Sequence, residues 1–363
     1  MRLRVIDFGM VPTLRSQAAW YGFASRLGPS GDPVLTLCEP AEPYVCIGLH
    51  QDVNLELDRD FCAANAIGIL RRRLGGGAVY LDRRQTIFHF MFPQHHVPRR
   101  PEQLYPYFIE PVLRTYRDFG IDAVYRPLND IHVAGRKIGG TAAALIGDIA
   151  VLGGMFLFDF DGALMARCLK VPSEKFRDKL RTSLDDYVTS MRRLLPAVPS
   201  RRDIVARFTE HVETCLGVVA EADTARPDEL AAITAEEQHL VTPDWLGRVG
   251  RKLVPAGVKL AVGVHLTEGS HKAPGGLLRA RLLESNGVIV DLELSGDVDC
   301  RPADGLAALA TQLRGAPLDA HRLIDCVSSA MVRLNVAAPG MPASDVAAVI
   351  VACRLTAGGG TAT

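Results

Sequence analysis

Apolar positions along the chain fall into short blocks whose spacing switches between a period of two and a helical repeat. Val34 to Gly48 reads as short strands broken by prolines, and Asp58 to Ala66 as a helix. Ile67 to Arg73 reads as a strand running into glycines, with strand resuming at Ala78–Tyr80, and Thr86 to Phe92 alternates until Pro93 stops it. From Glu102 to Gly120 the residues Tyr105, Phe108, Ile109, Val112, Leu113 and Tyr116 form a helical stripe that Gly120 closes. Ile131–Val133, Gly135–Ile138 and Ala150–Phe158 give further strands around tight turns, followed by helices near Ser183–Leu195 and Arg201–Leu216. Thr242-Pro243-Asp244-Trp245, with Gly247 and Gly250, then reads as a linker with few apolar residues to fix it. Beyond it Val258, Leu260, Val262, Val264 and Leu266 alternate strictly, and Leu278–Leu283 and Val288–Leu294 flank Asn286-Gly287, a strong hairpin turn. Pro302–Arg314 has a helical pattern ending at Gly315, Leu318–Leu334 predicts a second helix, and Gly358–Gly360 with the last residues reads as a tail. No repeat of fixed period is present.

This pattern predicts an α+β protein. A mixed or antiparallel sheet flanked by helices is expected over 1–246, and a small α+β module over 252–356. The length, 363 residues and 39.3 kDa, suits two domains. Lys+Arg and Asp+Glu both number 41, so a strongly basic nucleic-acid binder is not expected. Aromatics at 6% argue against a stacking platform for single strands. The longest apolar run, Ile149 to Phe158, is too short to span a bilayer. The first residues, MRLRVIDFGM, lack the apolar core of a signal peptide. Eight cysteines (38, 46, 62, 168, 215, 300, 326 and 353) are scattered without a CxxC pair, which argues for reduced thiols, a cytoplasmic setting and no structural zinc.

Two constellations carry candidate chemistry. In Arg71-Arg72-Arg73-Leu74-Gly75-Gly76-Gly77-Ala78-Val79-Tyr80 the glycines let backbone N–H groups approach a phosphate or an acyl chain, and an arginine can hold a carboxylate or phosphate by two points. It is neither a P-loop nor the dinucleotide fingerprint, and a solvated basic run before a bulged turn would read the same way. In Asn129-Asp130-Ile131 and Gly135-Arg136-Lys137-Ile138-Gly139-Gly140-Thr141-Ala142, Asp130 is a candidate magnesium ligand. Lys137 is a candidate cation for a carboxylate under activation or an α-phosphate; the alternative is a surface hairpin with a lysine at its tip.

Taken together and in this order, RRRLGGGAVY at 71–80, NDI at 129–131 and GRKIGGTAA at 135–143 resemble the lipoate–protein ligase family. Ile47-Gly48 with Gln51, Gly154 to Phe158 and, after Trp245, NGVIVDLELSGD at 286–297 resemble further family segments, the last from its C-terminal accessory domain. The resemblance implies two steps: ATP activates lipoate to lipoyl-AMP, and a lysine of a lipoyl-carrier protein takes the lipoyl group. It implies that Lys137 contacts both carboxylate and α-phosphate. Arg72, Gly77, Ala78, Val79 and Tyr80 would then hold the adenylate, and Arg72, Gly75, Gly76, Gly77, Gly140, Thr141, Ala142 and Gly154, with Lys137, the lipoate. Magnesium would sit near Asp130. A lipoyl domain or an H-protein-like carrier is the implied partner, and a monomer the expected state. The chain departs from the family pattern at Leu81, Gly139, Gly153 (in place of a histidine) and Met155, and the Asn and Glu of the family's first helix are not evident near Gln17–Trp20. Two other classes remain open: an octanoyl or lipoyl transferase working through a Cys168 thioester, and a non-catalytic module binding a lipoyl or biotinyl adenylate. Cys168 reads otherwise as a buried apolar residue. His95-His96 reads as a loop, and Arg192-Arg193 and Arg201-Arg202 as solvated helix ends or a face for an acidic acceptor.

Overall fold

The computed structural model describes residues 1–355 except 50, 128, 172–173, 249–256, 262, 297–299 and 303. The tail expected from Gly358 and the strand position Val262 lie outside the described residues. The chain forms two compact units, one of residues 1–170 and 175–250, the other of 171–174 and 251–363.

The first unit is built on an eight-stranded mixed sheet. Its strands run in the order Val219–Ala222, Arg2–Val11, Val34–Pro40, Gln85–Pro93, Ile149–Leu157, Arg136–Ile146, Asp130–Val133 and Val124–Arg126. The first three are parallel and every later pairing is antiparallel. A strand with both faces covered reads as a near-continuous apolar run, and all nine residues of Gln85–Pro93 are buried. One face receives Phe88, Phe90, Phe92 and Phe156, packed on Phe108, Val112 and Tyr116 of the helix Pro101–Asp118 and on Phe208 and Val212 of the helix Arg201–Leu216. Ser200 caps the latter helix by accepting from Asp203 N–H, and Gly217, at φ +64°, ends it in the left-handed region. The other face receives Met91, Ile149 and Val151 against Trp20 and Phe23 of the helix Thr13–Arg26 and Ile233 and Leu240 of the helix Pro227–Leu240. A small sheet of Gly68–Arg71, Tyr44–Ile47 and Val79–Leu81 adjoins this core.

Three readings need correction. The helix expected near Ser183–Leu195 begins earlier, at Glu174, and breaks after Tyr187; only Met191–Leu194 is helical beyond it. Thr242–Trp245 is not a loose linker. Pro243–Leu246 is a helical turn capped by Thr242, and Trp245 is buried among Trp20, Phe23 and Leu240. The basic run Arg71–Arg73 is not solvated, as described below. In the second unit, four antiparallel strands, Gly257–Ala261, Val264–Ala273, Gly276–Ser285 and Val288–Gly296, carry the helices Gly305–Gln312, Ala320–Arg333 and Ala343–Leu355 on a core of Leu278, Leu282, Leu309, Leu323, Val327 and Ile350. Asn286 and Gly287 take φ +50° and +79°, the conformation their hairpin turn demands.

Candidate active site

The strand that carries Lys137 starts at a tight turn in which Ala134 and Gly135 take φ +48° and +80°. Asp130 pairs with Gly140 and His132 with Lys137, so one extra residue on the Lys137 strand forms a bulge. The bulge lets Lys137 and Gly140 share the face of Asp130 and His132. Lys137 Nζ lies 2.7 Å from Asp130 Oδ1, with the lysine side chain 24% exposed and the aspartate buried. Asp130 Oδ2 lies 3.9 Å from His132 Nε2. Burial pushes the Asp130 carboxyl up, but His132 and Lys137 outweigh it and hold the group below the usual carboxylate range. Tyr187 meets His132 edge to face at 5.7 Å, and burial with the Asp130 charge pushes its hydroxyl up to about 12. The segment after Tyr187 straps this strand: Thr189 N–H donates to Lys137 O at 2.8 Å, and Arg136 donates to the carbonyls of Asp185 and Val188. A Cβ at Gly140 would lie 3.0 Å from Lys137 Nζ, so glycine keeps the ammonium approachable from that side.

The three arginines point in three directions. Arg71 is fully buried and donates only to backbone carbonyls: Gly48, Leu49, Gln51, Trp245, Leu246 and Arg248, at 2.5–3.4 Å. Trp245 Nε1 returns a bond to Arg71 O at 3.0 Å. Arg72 donates to the carbonyls of Cys46, Gly75 and Gly77 at 2.7–2.9 Å, shaping the glycine segment from inside. Arg73 makes a two-point bond to Glu236 at 2.6 and 2.8 Å and stacks on Tyr21 at 3.9 Å and Trp245 at 4.9 Å. Gly76 takes φ +100°, and its carbonyl lies where a Cβ on Gly48 would stand, so Gly48 must be glycine for the two segments to approach.

The glycine segment reaches the Lys137 strand through its ends. Leu74 Cδ1 sits 3.3 Å from the position of a Cβ on Gly153, and Gly153 pairs with Ala142. Val79 shares an apolar cluster with Met155, whose carbonyl lies 3.4 Å from the corresponding position on Gly139. Leu74 and Val79, which flank the Gly75–Ala78 segment, thus pack toward Gly153 and Met155 of the strand that pairs with the Lys137 strand. Tyr80 is buried beneath, its hydroxyl raised by burial and by Asp82. Thr141 and Gly154 are not part of this face. Thr141 Oγ1 donates to Asn129 O at 2.9 Å, and a Cβ on Gly154 would meet Phe88 and Thr141, on the other side of the sheet.

Asp130 as it stands does not fit a resident metal. One oxygen holds Lys137, the other faces His132, and the described residues contain no group of three or more metal-ligating side chains. Cys168 is fully buried, and the neighbouring Cys62 thiol together with burial pushes its own thiol far up. No described helix is long and apolar enough to cross a membrane. Two residues of this region escape motif reading: Tyr187, which gives no local signal, and His89, the one titratable residue in an otherwise apolar strand interior, which does.

A mixed sheet covered by helices, with a glycine segment crossing it beside a lysine strand, is the architecture of lipoate-ligase-type enzymes. The lipoyl protein ligase A/B catalytic domain matches residues 21–213, and the chain belongs to that family. Lipoate-protein ligase LplJ of Bacillus subtilis is 27% identical over 176 residues, 47% of this chain and 51% of that protein. Octanoyltransferase LipM of Kyrpidia tusciae is 27% identical over 231 residues, 57% of this chain and 81% of that protein. Between 51% and 59% of the length of several curated relatives is covered by the match. Among solved structures, the bi-partite lipoate protein ligase of Thermoplasma acidophilum, described with its E2 lipoyl domain, superposes at TM-score 0.64 with 24% identity, over 69% of this chain and 98% of that one. A lipoate-protein ligase A bound with ATP superposes at 0.60 with 21% identity, over 69% and 100%.

Proposed function

We propose that this chain is an ATP-dependent lipoate–protein ligase. It activates lipoate to lipoyl-AMP and passes the lipoyl group to a lysine of a lipoyl-carrier protein. The observation that carries this reading is Lys137: a partly accessible ammonium, oriented by a buried carboxylate, beside a backbone-lined glycine segment. In the first step a lipoate carboxylate oxygen attacks the α-phosphorus and pyrophosphate leaves. Asp130 holds Lys137 in place, and the ammonium offsets charge on the carboxylate and then on the phosphoryl oxygens. Arg72 acts through the cradle, fixing Gly75 and Gly77 so that Gly77–Tyr80 lie against the nucleotide. In the second step the acceptor lysine amine attacks the acyl carbon and AMP leaves. Magnesium enters as the partner of the triphosphate and not as a resident ion. A lipoyl domain as acceptor agrees with the partner described for the archaeal ligase. A cytoplasmic, monomeric enzyme belongs to the same proposal.

The LipM relative favours a second reading, octanoyl transfer through a cysteine thioester. The full burial of Cys168, which leaves an acyl donor no access to the thiol, speaks against it. Mass spectrometry of a lipoyl domain incubated with the chain and lipoate, with and without ATP and magnesium, separates the two. Modification that requires ATP supports the ligase, and ATP-independent transfer from an octanoylated carrier supports the transferase.

A further inference from the structure

His89 occupies the middle of the buried strand Gln85–Pro93. Its neighbours Phe88 and Phe90 enter the phenylalanine core, so His89 faces the opposite side, that of Trp20 and Leu74. Its ring stacks on Trp20 at 5.7 Å. Among the described residues the buried Trp20 indole N–H has no hydrogen-bond partner, and the His89 ring forms no hydrogen bond. A buried donor without a partner is rare and asks for one. Burial lowers the His89 pKa to about 3, so the ring is neutral and presents one N–H and one bare nitrogen.

Gly153 pairs directly with His89 on one side and with Ala142 on the other. A Cβ on Gly153 would lie 2.6 Å from His89 Cδ2 and 3.0 Å from Nε2. Any other residue there would collide with the ring; glycine lets the ring edge pack directly against the Gly153 backbone, with Leu74 alongside. Ala142 lies two residues along from Gly140, on the same face, and a Cβ on Gly140 would lie 3.0 Å from Lys137 Nζ. Two strand spacings of about 4.8 Å and about 7 Å along the strand separate the backbone of His89 from that of Gly140 by roughly 12 Å. Side chains extend from both ends of that span. A carboxylate at Lys137 thus places the far end of an extended eight-carbon chain at His89.

We infer that His89 is a specificity-determining contact of the acyl site, donating its imidazole N–H to a sulfur at the far end of the chain, so that the site prefers a dithiolane-bearing acid to the plain fatty acid of equal length. This rests on the acyl-activating reading above. Ring sulfur is a weak acceptor but still an acceptor, whereas a hydrocarbon tail leaves the buried N–H unpaired.

The test uses the full chain. Lipoate and octanoate are compared by calorimetric binding and by pyrophosphate release, in wild type, His89→Leu and His89→Gln. Wild type should favour lipoate; His89→Leu should lower the lipoate-to-octanoate ratio roughly three- to ten-fold, and His89→Gln, which keeps an N–H in the wall, should retain part of it. A spectroscopic arm needs no substitution: the imidazole nitrogen resonances of His89 should shift on adding lipoate and stay in place with octanoate. An unchanged ratio in His89→Leu, or an equal loss for both acids, overturns the inference while leaving the ligase reading intact. Failure of wild type to bind either acid overturns the acyl-site reading itself, and this inference with it.

Discussion

Replacing Lys137 by alanine separates what this lysine does for the fold from what it does for chemistry. Breaking a fully buried ion pair by removing one partner costs about 3–5 kcal/mol. Here solvent reaches a quarter of the lysine, and His132 stays 3.9 Å from the other carboxylate oxygen. The cost should fall to about 1–3 kcal/mol, a drop of roughly 2–10 °C in melting temperature for a unit of this size. The chemical cost should be larger. Loss of a charge contact made in the transition state lowers the rate by roughly 10²–10³. Pairing Lys137→Ala with Asp130→Asn removes the stranded carboxylate, so the double variant should regain most of the stability and none of the rate. Urea unfolding and pyrophosphate release measure the two quantities. Recovery of pyrophosphate release in the double variant would refute the argument, because the single variant's loss would then be structural. The acid limb of stability provides a further check. The Asp130 carboxyl is lowered in the folded chain, so its contribution is present above the unfolded carboxylate value of about 3.9 and is lost as pH falls through the folded value. Without Lys137 that loss should set in at higher pH.

Arg71→Met should destabilise by about 3–5 kcal/mol, because six carbonyls lose their shared donor inside the protein; chemical denaturation measures it. Arg71→Lys should recover little, since an ammonium cannot fan out to both segments. Cys168→Ser should keep full acyl transfer from lipoate and ATP; loss of transfer with an intact fold would bring the thioester route forward. Gly48→Ala should abolish adenylate formation, because the new methyl group occupies the place of the Gly76 carbonyl, and pyrophosphate release reads it. We expect a chain ending at Arg248 to transfer lipoyl from presynthesised lipoyl-AMP but not to form it from lipoate and ATP; equal rates from both substrates would leave the second unit no part in activation. A stop at Leu246 would confuse this test by removing a carbonyl that Arg71 uses.

Much of this was legible in the residues. Period-two alternation and the Asn286-Gly287 turn located the second-unit hairpin, and the glycine triplet and Lys137 stood out because their chemistry is local. What escaped is long-range. Nothing in Thr242–Arg248 announces that Trp245 will be buried on Arg73, because that contact joins residues over 170 positions apart. Three consecutive arginines look like a charged surface run. Only the fold shows that one is consumed by carbonyls, one by the glycine segment and one by Glu236. The start of the helix before Tyr187 gives a weak signal because its apolar side chains, Phe176, Leu180 and Leu184, are sparse among charges. Gly153 stands where the family pattern has a histidine, but its meaning depends on a strand more than 60 residues earlier.

The Arg71 guanidinium also has a mechanical reading. One rigid, planar group grips the chain at Gly48–Gln51 and again at Trp245–Arg248. Tension along the polypeptide beyond Arg248 meets that rivet together with the helical turn Pro243–Leu246, before any longer helix of the first unit. Several bonds to one head must break together, so a pull there resists up to a threshold and then yields all at once, freeing the rim of the glycine segment in the same event. Under load, the place where the chain leaves its first unit and the place where it cradles a ligand would let go as a single element.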